Sequence, residues 1–398
     1  MNFSNRVINM QASPIRKLVP FAEEAKKSGK KVYHLNIGQP DIETPPEFFT
    51  AVKEADIKVL AYSLSQGMPE LIDSFSKYYA RYGLSFDQNE ILITNGGSEA
   101  ILFALIATCD VGDEVLVPEP FYTNYNGFGS SAQVNIVPIT TKAENGFALP
   151  SASTIEALVT NKTKAILLSN PGNPTGAVYS SEEMDAIALV AKKHNLFIIS
   201  DEVYREFIYD GMKFKSFAEY TEIANQVILT DSISKRYSAC GARIGCIASK
   251  NKELITQMLK LCQSRLCVPT LEQIGAAALI NVSSDYMDAA ILEYKKRRDI
   301  VYNALNKMDG VLCKEPKGAF YVIAKLPVKN AEDFVIWLLK EFNLNGETVM
   351  LAPAEGFYAT PGLGIDEVRI SYVLKETDLL AAMAVLDAGL KAYHLKNQ

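Results

Sequence analysis

The sequence has few of the residues on which several kinds of site depend. It contains three histidines, which are far apart, and six cysteines with no CxxC pair. A metal centre or hydrolase site built on histidine is therefore not expected, and the cysteines are expected to be free thiols in a reducing cytoplasm. No apolar run is long enough to cross a bilayer, and the start MNFSNRVINM lacks the apolar core of a signal peptide. We expect neither a membrane span nor a leader.

Positive charge is also limited. The chain has 40 lysines and arginines against 46 acidic residues, which gives a net charge of −6. This balance argues against nucleic acid or an anionic membrane as a partner. The densest basic run, KKRR at 295–298, falls in a helical pattern and is expected to form a solvated face.

The order of apolar runs predicts the fold class. Between residues 90 and 250, short apolar runs such as EILITN, KAILLSN and LFIISDEVY alternate with helical patterns. This alternation predicts an α/β domain with a largely parallel sheet covered by helices on both faces. After about residue 285, a long helical pattern and shorter strands predict a smaller α+β domain.

The chain of 398 residues is therefore expected to have two domains. We assign residues 46–284 to the large domain and 285–398 to the small one. Residues 1–45 form an N-terminal arm that does not follow the parallel-sheet pattern and is expected to pack on the small domain.

Several loops that follow predicted strands carry polar residues and glycines. TNGGSEA (94–100) is suited to bind an anion through backbone N–H groups at a helix start, although it is also an ordinary turn. SNPGNPTG (169–176) fixes Asn173 in a rigid turn, and SDEVY (200–204) ends a buried strand with Asp201, whose burial requires a positive partner. TDSISKRYSACGARIG (230–245) sets Lys235 among small residues directly after an apolar strand. Ligand sites of α/β proteins lie at such strand ends.

Taken in order, these motifs resemble a known family. GGSEA, PFYTNY, NPGNPTG, DEVY, SISKRYSACGARIG and the late VRISY are similar to the class I aminotransferases of fold type I, which use pyridoxal 5′-phosphate. The resemblance extends from NIGQPD at 36 to VRISY at 372. It implies a large domain with a mostly parallel sheet of the seven-stranded type, flanked by helices, beside a smaller α+β domain.

The resemblance also implies a role for each matched residue. Lys235 holds the cofactor as a Schiff base and moves the substrate Cα proton, while Asp201 pairs with the pyridine nitrogen. Arg369 clamps the substrate α-carboxylate, a task that suits a two-pronged donor. The remaining implied contacts are Tyr204 and Asn173 at the cofactor's phenolic oxygen, Tyr122 on its ring face, Gly97, Ser98, Ser232 and Arg243 at its phosphate, and Gly38 at the carboxylate, with Tyr122 and Asn173 also lining the substrate pocket.

One matched residue implies an assembly. Tyr62, in AYSLSQGMPEL, corresponds to the family tyrosine that reaches the phosphate in the neighbouring subunit. The resemblance therefore implies a homodimer with shared active sites.

The substrate is less well determined by the motifs. An aminotransferase that favours aspartate, with 2-oxoglutarate as the oxo acid, is the first interpretation. Close relatives place a lysine for the distal carboxylate where this chain has Ser98, so Arg16 or Arg265 is the candidate reader of that group. A carbon–sulfur β-lyase, or an aminotransferase for aromatic amino acids, alanine or others, is the alternative. A regulator using this fold would need an added DNA-binding module, which we do not expect because the chain begins within the small-domain pattern.

Overall fold

A central seven-stranded sheet organises the chain in the computed structural model, which describes residues 1–396. The strands are β1 (Lys31–His34), β2 (Ile91–Thr94), β3 (Glu114–Glu119), β4 (Asn135–Thr140), β5 (Thr163–Ser169), β6 (Phe197–Asp201), β7 (Val227–Ser232), β8 (Gly245–Ala248), β9 (Leu312–Cys313), β10 (Tyr321–Lys325), β11 (Glu347–Met350), β12 (Ala352–Pro353) and β13 (Glu367–Ser371). The large sheet has the order β2-β8-β7-β6-β5-β3-β4. Only β8 runs antiparallel to its neighbours. The prediction of a mostly parallel sheet is confirmed.

Helices cover both faces of this sheet. Other helices, among them α2, α13 and α14, pack in the smaller region instead. In chain order the helices of the described residues are α1 (Asn5–Ile8), α2 (Val19–Lys27), α3 (Pro46–Glu54), α4 (Pro69–Ala80), α5 (Gly96–Thr108), α6 (Asn124–Ala132), α7 (Ala152–Glu156), α8 (Ser181–His194), α9 (Ile233–Arg236), α10 (Lys252–Arg265), α11 (Thr270–Ala278), α12 (Ser284–Leu305), α13 (Ala331–Lys340) and α14 (Glu376–Lys396). Successive strand residues point to opposite faces. Ile198 accordingly joins one apolar core, whereas Ile199 joins the core on the other side. Burial on both faces explains the unbroken apolar runs in the sequence.

The later part of the chain builds a second, smaller sheet. Strands β12, β13, β10 and β9 lie side by side in that order, and their pairings are antiparallel. The N-terminal arm packs here: β1 pairs in parallel with β11, and Leu18 and Tyr33 join the apolar core of this region. The boundaries at residues 45 and 284 stay predictions.

The expectation for the KKRR run was wrong for its two arginines. The side chains of Arg297 and Arg298 are only 6% and 1% exposed. Arg297 pairs with Asp41, and Arg298 pairs with Asp210. These ion pairs offset the cost of burying the two charges. Two of the four basic residues of α12 therefore hold the helix against the segments that carry Asp41 and Asp210. A single helix pattern does not reveal acidic partners that come from distant segments.

Among residues 1–396, no helix combines the length and the apolar composition that crossing a bilayer requires.

Candidate active site

A cavity of about 370 Å³ lies at the carboxyl ends of the central strands, beside the small sheet. It brings together twelve of the residues singled out in the sequence: Arg16, Gly38, Gly97, Ser98, Tyr122, Asn173, Asp201, Tyr204, Ser232, Lys235, Arg243 and Arg369. Tyr62 and Arg265 are not among the described residues that line it. The described cavity wall also includes residues that sequence reasoning missed, namely Ser13, Ile15, Ile37, Gln39, Ile101, Asn124, Val203, Ser234, Cys240 and Tyr321.

Lys235 is placed by the end of a buried strand. Strand β7 leads directly into the one-turn helix α9, whose first turn is capped by Ser232 accepting from the Ser234 N–H. The Lys235 Nζ points into the cavity and donates to the Gly38 carbonyl at 2.9 Å. Its other polar neighbour is the Cys240 thiol, at 3.9 Å. A rigid sheet therefore presents a partly buried amine to the cavity.

Asp201 is a buried carboxylate at the end of β6, with 7% of its surface exposed. It accepts from the Tyr125 hydroxyl at 2.7 Å and from the Val203 N–H at 3.4 Å. Burial raises the pKa of Asp201 to about 6, against the opposing effect of the Tyr125 hydrogen bond. No lysine or arginine among residues 1–396 forms an ion pair with it. The carboxylate thus faces the cavity without the positive partner that its burial favours.

Gly97, Ser98, Ser232 and Arg243 form one end of the cavity, where backbone N–H groups and a cation meet. Gly97 and Ser98 lie in the first turn of the thirteen-residue helix α5. Their neighbour Gly96 has a φ of +72°, and a Cβ there would lie 2.6 Å from the Arg243 guanidinium. Helix N-termini attract anions, and an arginine beside one strengthens the attraction. This end is suited to a phosphate.

Arg369 is a buried guanidinium on β13, with 2% of its surface exposed. It donates to the Asn173 side-chain oxygen at 3.0 Å and to the Asn36 carbonyl at 2.5 Å, while its Nε has no hydrogen-bond partner within residues 1–396. The Tyr321 ring lies 4.6 Å from the guanidinium carbon. Burial lowers the pKa of Arg369, and no carboxylate among the described residues pairs with it. A buried cation with only neutral partners is suited to bind a carboxylate.

Two tyrosines named from the sequence line the remaining wall. Burial raises the pKa of Tyr122 to about 12, and its ring packs edge-on against Tyr125 at 5.7 Å. Burial also raises the pKa of Tyr204, with a further contribution from Tyr321, whose hydroxyl lies 2.8 Å away. Both phenols therefore keep their protons at neutral pH and can serve as hydrogen-bond donors.

Arg265 lies at the end of α10, away from the cavity of its own chain. It pairs with Glu99 at 3.3 Å and donates to the Ile93 carbonyl at 3.1 Å. Arg16 is different: it is exposed and lines the cavity, and within residues 1–396 no hydrogen bond or ion pair holds its side chain.

Comparison with known proteins identifies the family of the chain. Residues 30–385 match the family model described as aminotransferase class I and II. The chain is 33% identical to a probable aspartate aminotransferase of Methanocaldococcus jannaschii, over 96% of this chain and 98% of that protein. It is 32% identical to an asparagine–oxo-acid transaminase of Streptococcus mutans, over 98% and 99%.

The fold agrees as well. The structure of the aspartate aminotransferase from Rhizobium meliloti superposes with a TM-score of 0.89 at 30% identity, covering 98% of this chain and 99% of that one. The motif order, the central sheet with its smaller α+β region, the cavity and these full-length similarities lead to one assignment: the chain belongs to the class I and II aminotransferase family.

Proposed function

We propose that this aminotransferase uses pyridoxal 5′-phosphate to move the amino group of L-aspartate to a 2-oxo acid, with 2-oxoglutarate as the acceptor. The observation that carries the proposal is the convergence of Lys235, Asp201 and Arg369 in one cavity. Asp201 and Arg369 are each buried, and neither has an oppositely charged partner among the residues that the structure describes. A cofactor with a basic ring nitrogen and a substrate with an α-carboxylate would supply the two missing partners.

The residues present fit the cofactor at each of its functional groups. Asp201 would hold the ring nitrogen in its protonated form, and the α5 N-terminus with Ser232 and Arg243 would hold the phosphate. Tyr204 and Asn173 would bind the phenolic oxygen, and Tyr122 would cover a ring face. Lys235 would hold the aldehyde carbon as a Schiff base. Bound in this way, the cofactor supplies an electron sink for the electrons released at the substrate Cα.

The chain itself supplies binding, orientation and proton transfer. Arg369 is suited to bind the α-carboxylate because its Nε still has a free N–H and its other donors face neutral oxygens. The Gly38 N–H is the proposed second donor to that carboxylate. Lys235, as a free amine beside the Gly38 carbonyl, would take the proton from the substrate Cα and deliver it to a different atom. One amine in a fixed position can do this for both halves of the reaction.

Product analysis tests this function against a β-lyase. With L-aspartate and 2-oxoglutarate, the purified enzyme is expected to form oxaloacetate and glutamate in equal amounts. With L-cysteine or cystathionine, it is expected to release little pyruvate and ammonia. Release of pyruvate and ammonia faster than any amino transfer would favour the lyase. Faster turnover of alanine or phenylalanine than of aspartate would overturn the substrate assignment alone.

Arg16 is the proposed reader of the side-chain carboxylate because it is an exposed cation that lines the cavity and has no acidic partner in the described part of the chain. We expect Arg16→Ala to lower kcat/KM for aspartate and glutamate about tenfold, the value of one charge-assisted contact, and to leave alanine and phenylalanine almost unchanged.

Two further variants serve as controls for Arg16. Arg6 is also exposed and N-terminal but donates to the Ser131 carbonyl outside the cavity. Arg6→Ala is therefore expected to leave kcat/KM unchanged for both acidic and neutral substrates. Arg369→Lys should weaken all four substrates alike, by about 2 kcal/mol, because lysine lacks the two-pronged geometry. An unchanged ratio of acidic to neutral substrates in Arg16→Ala would show that Arg16 does not read the side chain, and would leave Arg265 as the remaining candidate.

We further propose a homodimer in which Tyr62 completes the partner's site. Tyr62 is 80% exposed and lies in a connection with Val59, Leu60 and Leu64, which are 78%, 62% and 51% exposed. The connection is nevertheless ordered against the domain, since Ser63 donates to the Val268 carbonyl. A cluster of exposed apolar side chains on a fixed segment is typical of a protein interface.

Mixed dimers test the sharing of sites. In a dimer of one Tyr62→Phe chain and one Lys235→Ala chain, one site would carry both changes and the other neither. We expect about half of the wild-type activity at limiting cofactor, where the Tyr62→Phe parent binds the cofactor about tenfold more weakly after losing a contact to a charged group. Activity equal to half that of the Tyr62→Phe parent would place Tyr62 in its own chain's site.

A cytoplasmic location is proposed as well. All six cysteines of the chain are free thiols, and three of them are buried. Thiols persist in compartments where cellular reductants keep them reduced. Fractionation of cells that express the tagged protein would test the location.

A further inference from the structure

Two buried phenols form a hydrogen-bonded chain across the cavity wall. The hydroxyls of Tyr204 and Tyr321 lie 2.8 Å apart, and the Tyr321 hydroxyl lies 3.4 Å from the Gly38 carbonyl. That carbonyl also accepts from the Lys235 Nζ at 2.9 Å. Both tyrosines are at most 3% exposed. These hydrogen bonds therefore connect Lys235 to Tyr204, the phenol proposed to face the cofactor.

The position of Tyr321 is fixed by its neighbours. Its ring meets the Tyr204 ring edge-on at 5.6 Å and lies 4.6 Å from the Arg369 guanidinium. A Cβ added to Gly38 would lie 2.0 Å from the Tyr321 hydroxyl. Only glycine at position 38 leaves room for this phenol, so the loop and the tyrosine fit as a pair.

The number of hydroxyl protons limits the hydrogen bonds that Tyr204 and Tyr321 can form. Each phenol has one proton to donate, and the Gly38 carbonyl can only accept. When Tyr321 donates to Gly38, Tyr204 must be the donor to Tyr321. When an acceptor in the cavity accepts a hydrogen bond from the Tyr204 hydroxyl, the Tyr321 hydroxyl can rotate and donate to the Tyr204 oxygen. Tyr204 is then both donor and acceptor.

We infer that Tyr321 is a positioning residue that acts through Tyr204, strengthening and aiming its hydrogen bond to the cofactor's phenolic oxygen. A hydroxyl that accepts one hydrogen bond donates a stronger one, and the effect is largest in a dry site. The inference rests on the proposed function, since the phenolic oxygen belongs to pyridoxal phosphate. It adds a residue that the sequence motifs did not indicate.

A spectroscopic pH titration tests this inference. The loaded wild type, Tyr321→Phe, Tyr204→Phe and the double variant are titrated, and the pH midpoint of the visible absorption band is recorded. A donor to the phenolic oxygen favours its ionised form, so a weaker donor raises the midpoint. We expect a rise of about 1 pH unit in Tyr204→Phe and about 0.3 to 0.5 unit in Tyr321→Phe. The double variant should match Tyr204→Phe, because Tyr321 acts only through that residue.

A matched control separates this role from packing. Tyr372 is also a fully buried phenol, and it donates to the Ala319 carbonyl at 3.1 Å without lining the cavity. Tyr372→Phe should leave the midpoint unchanged. An unshifted midpoint in Tyr321→Phe, or additive shifts in the double variant, would overturn the inference alone. Absence of any band that depends on Lys235 would overturn the proposed function and this inference with it.

Discussion

Lys235→Ala is expected to lower the rate of amino transfer at least about 10⁴-fold, because the variant loses the amine that holds the cofactor and moves the Cα proton. The visible absorption band of the lysine-bound cofactor should be absent. Stability should change little. Among the described residues, the Lys235 Nζ donates to the Gly38 carbonyl at 2.9 Å and to the Cys240 thiol at 3.9 Å, and it forms no ion pair whose loss would destabilise the fold.

Two controls sharpen this prediction. Lys235→Arg keeps the positive charge but not a nucleophilic amine, so it should be as inactive as the alanine variant. Lys250 is another partly buried lysine of the large sheet region, paired with Glu90 at 2.7 Å and outside the cavity, and Lys250→Ala should retain full activity. Substantial amino transfer by Lys235→Ala, with the band still present, would mean that another amine holds the cofactor.

The inner strands of the central sheet are predicted closely from the sequence because each is an apolar run buried on both faces. The run KAILLSN predicts a strand at 164–170, and the structure has β5 at Thr163–Ser169. The antiparallel strand β8, Gly245–Ala248, was not predicted. It is four residues long and follows Arg243 within the lysine loop, so its pattern was read as part of the motif.

Single motifs placed the polar residues at the cavity but could not show how they interact. Asp201 and Asn173 were found because each follows an apolar strand with an unusual turn. Tyr321 was missed because GAFYVIAKL reads as a strand, and its role depends on Gly38 and Tyr204, which are 283 and 117 residues away. The buried Arg298 was misread for the same reason, since its partner Asp210 lies 88 residues away. Contacts between distant segments leave no local pattern.

The Asp201→Asn variant is expected to change stability in opposite directions with and without cofactor. In the cofactor-free enzyme the buried carboxylate has no positive partner in the described part of the chain, and its pKa is raised by burial from 3.8 to about 6. The folded state therefore binds the proton more tightly than the unfolded chain. Consequently, the free energy of unfolding falls as the pH rises from about 4 to 6 and stays lower above it.

Asparagine removes this pH-dependent cost because it is neutral at every pH. Two pKa units correspond to about 3 kcal/mol, so cofactor-free Asp201→Asn should be more stable than wild type at pH 7.5 by up to about that amount. Its amide oxygen can still accept the Tyr125 hydrogen bond. The advantage should shrink toward pH 5, where the wild-type carboxyl takes up its proton.

With cofactor the order reverses, since Asp201 then faces a protonated ring nitrogen and the asparagine variant loses that ion pair. We expect kcat/KM to fall about 10²- to 10³-fold and the cofactor to bind more weakly. Denaturant midpoints of both forms at pH 5 and 7.5 measure the reversal.

Asp231 is the control: it is also a buried strand-end carboxylate, but Arg236 pairs with it through contacts of 2.9 and 3.1 Å. Asp231→Asn should therefore destabilise both forms at both pH values, because it leaves a buried arginine without its partner. If cofactor-free Asp201→Asn loses stability at pH 7.5 as Asp231→Asn does, Asp201 already has a compensating partner in the protein. The proposal that Asp201 pairs with the ring nitrogen of the cofactor would then be wrong.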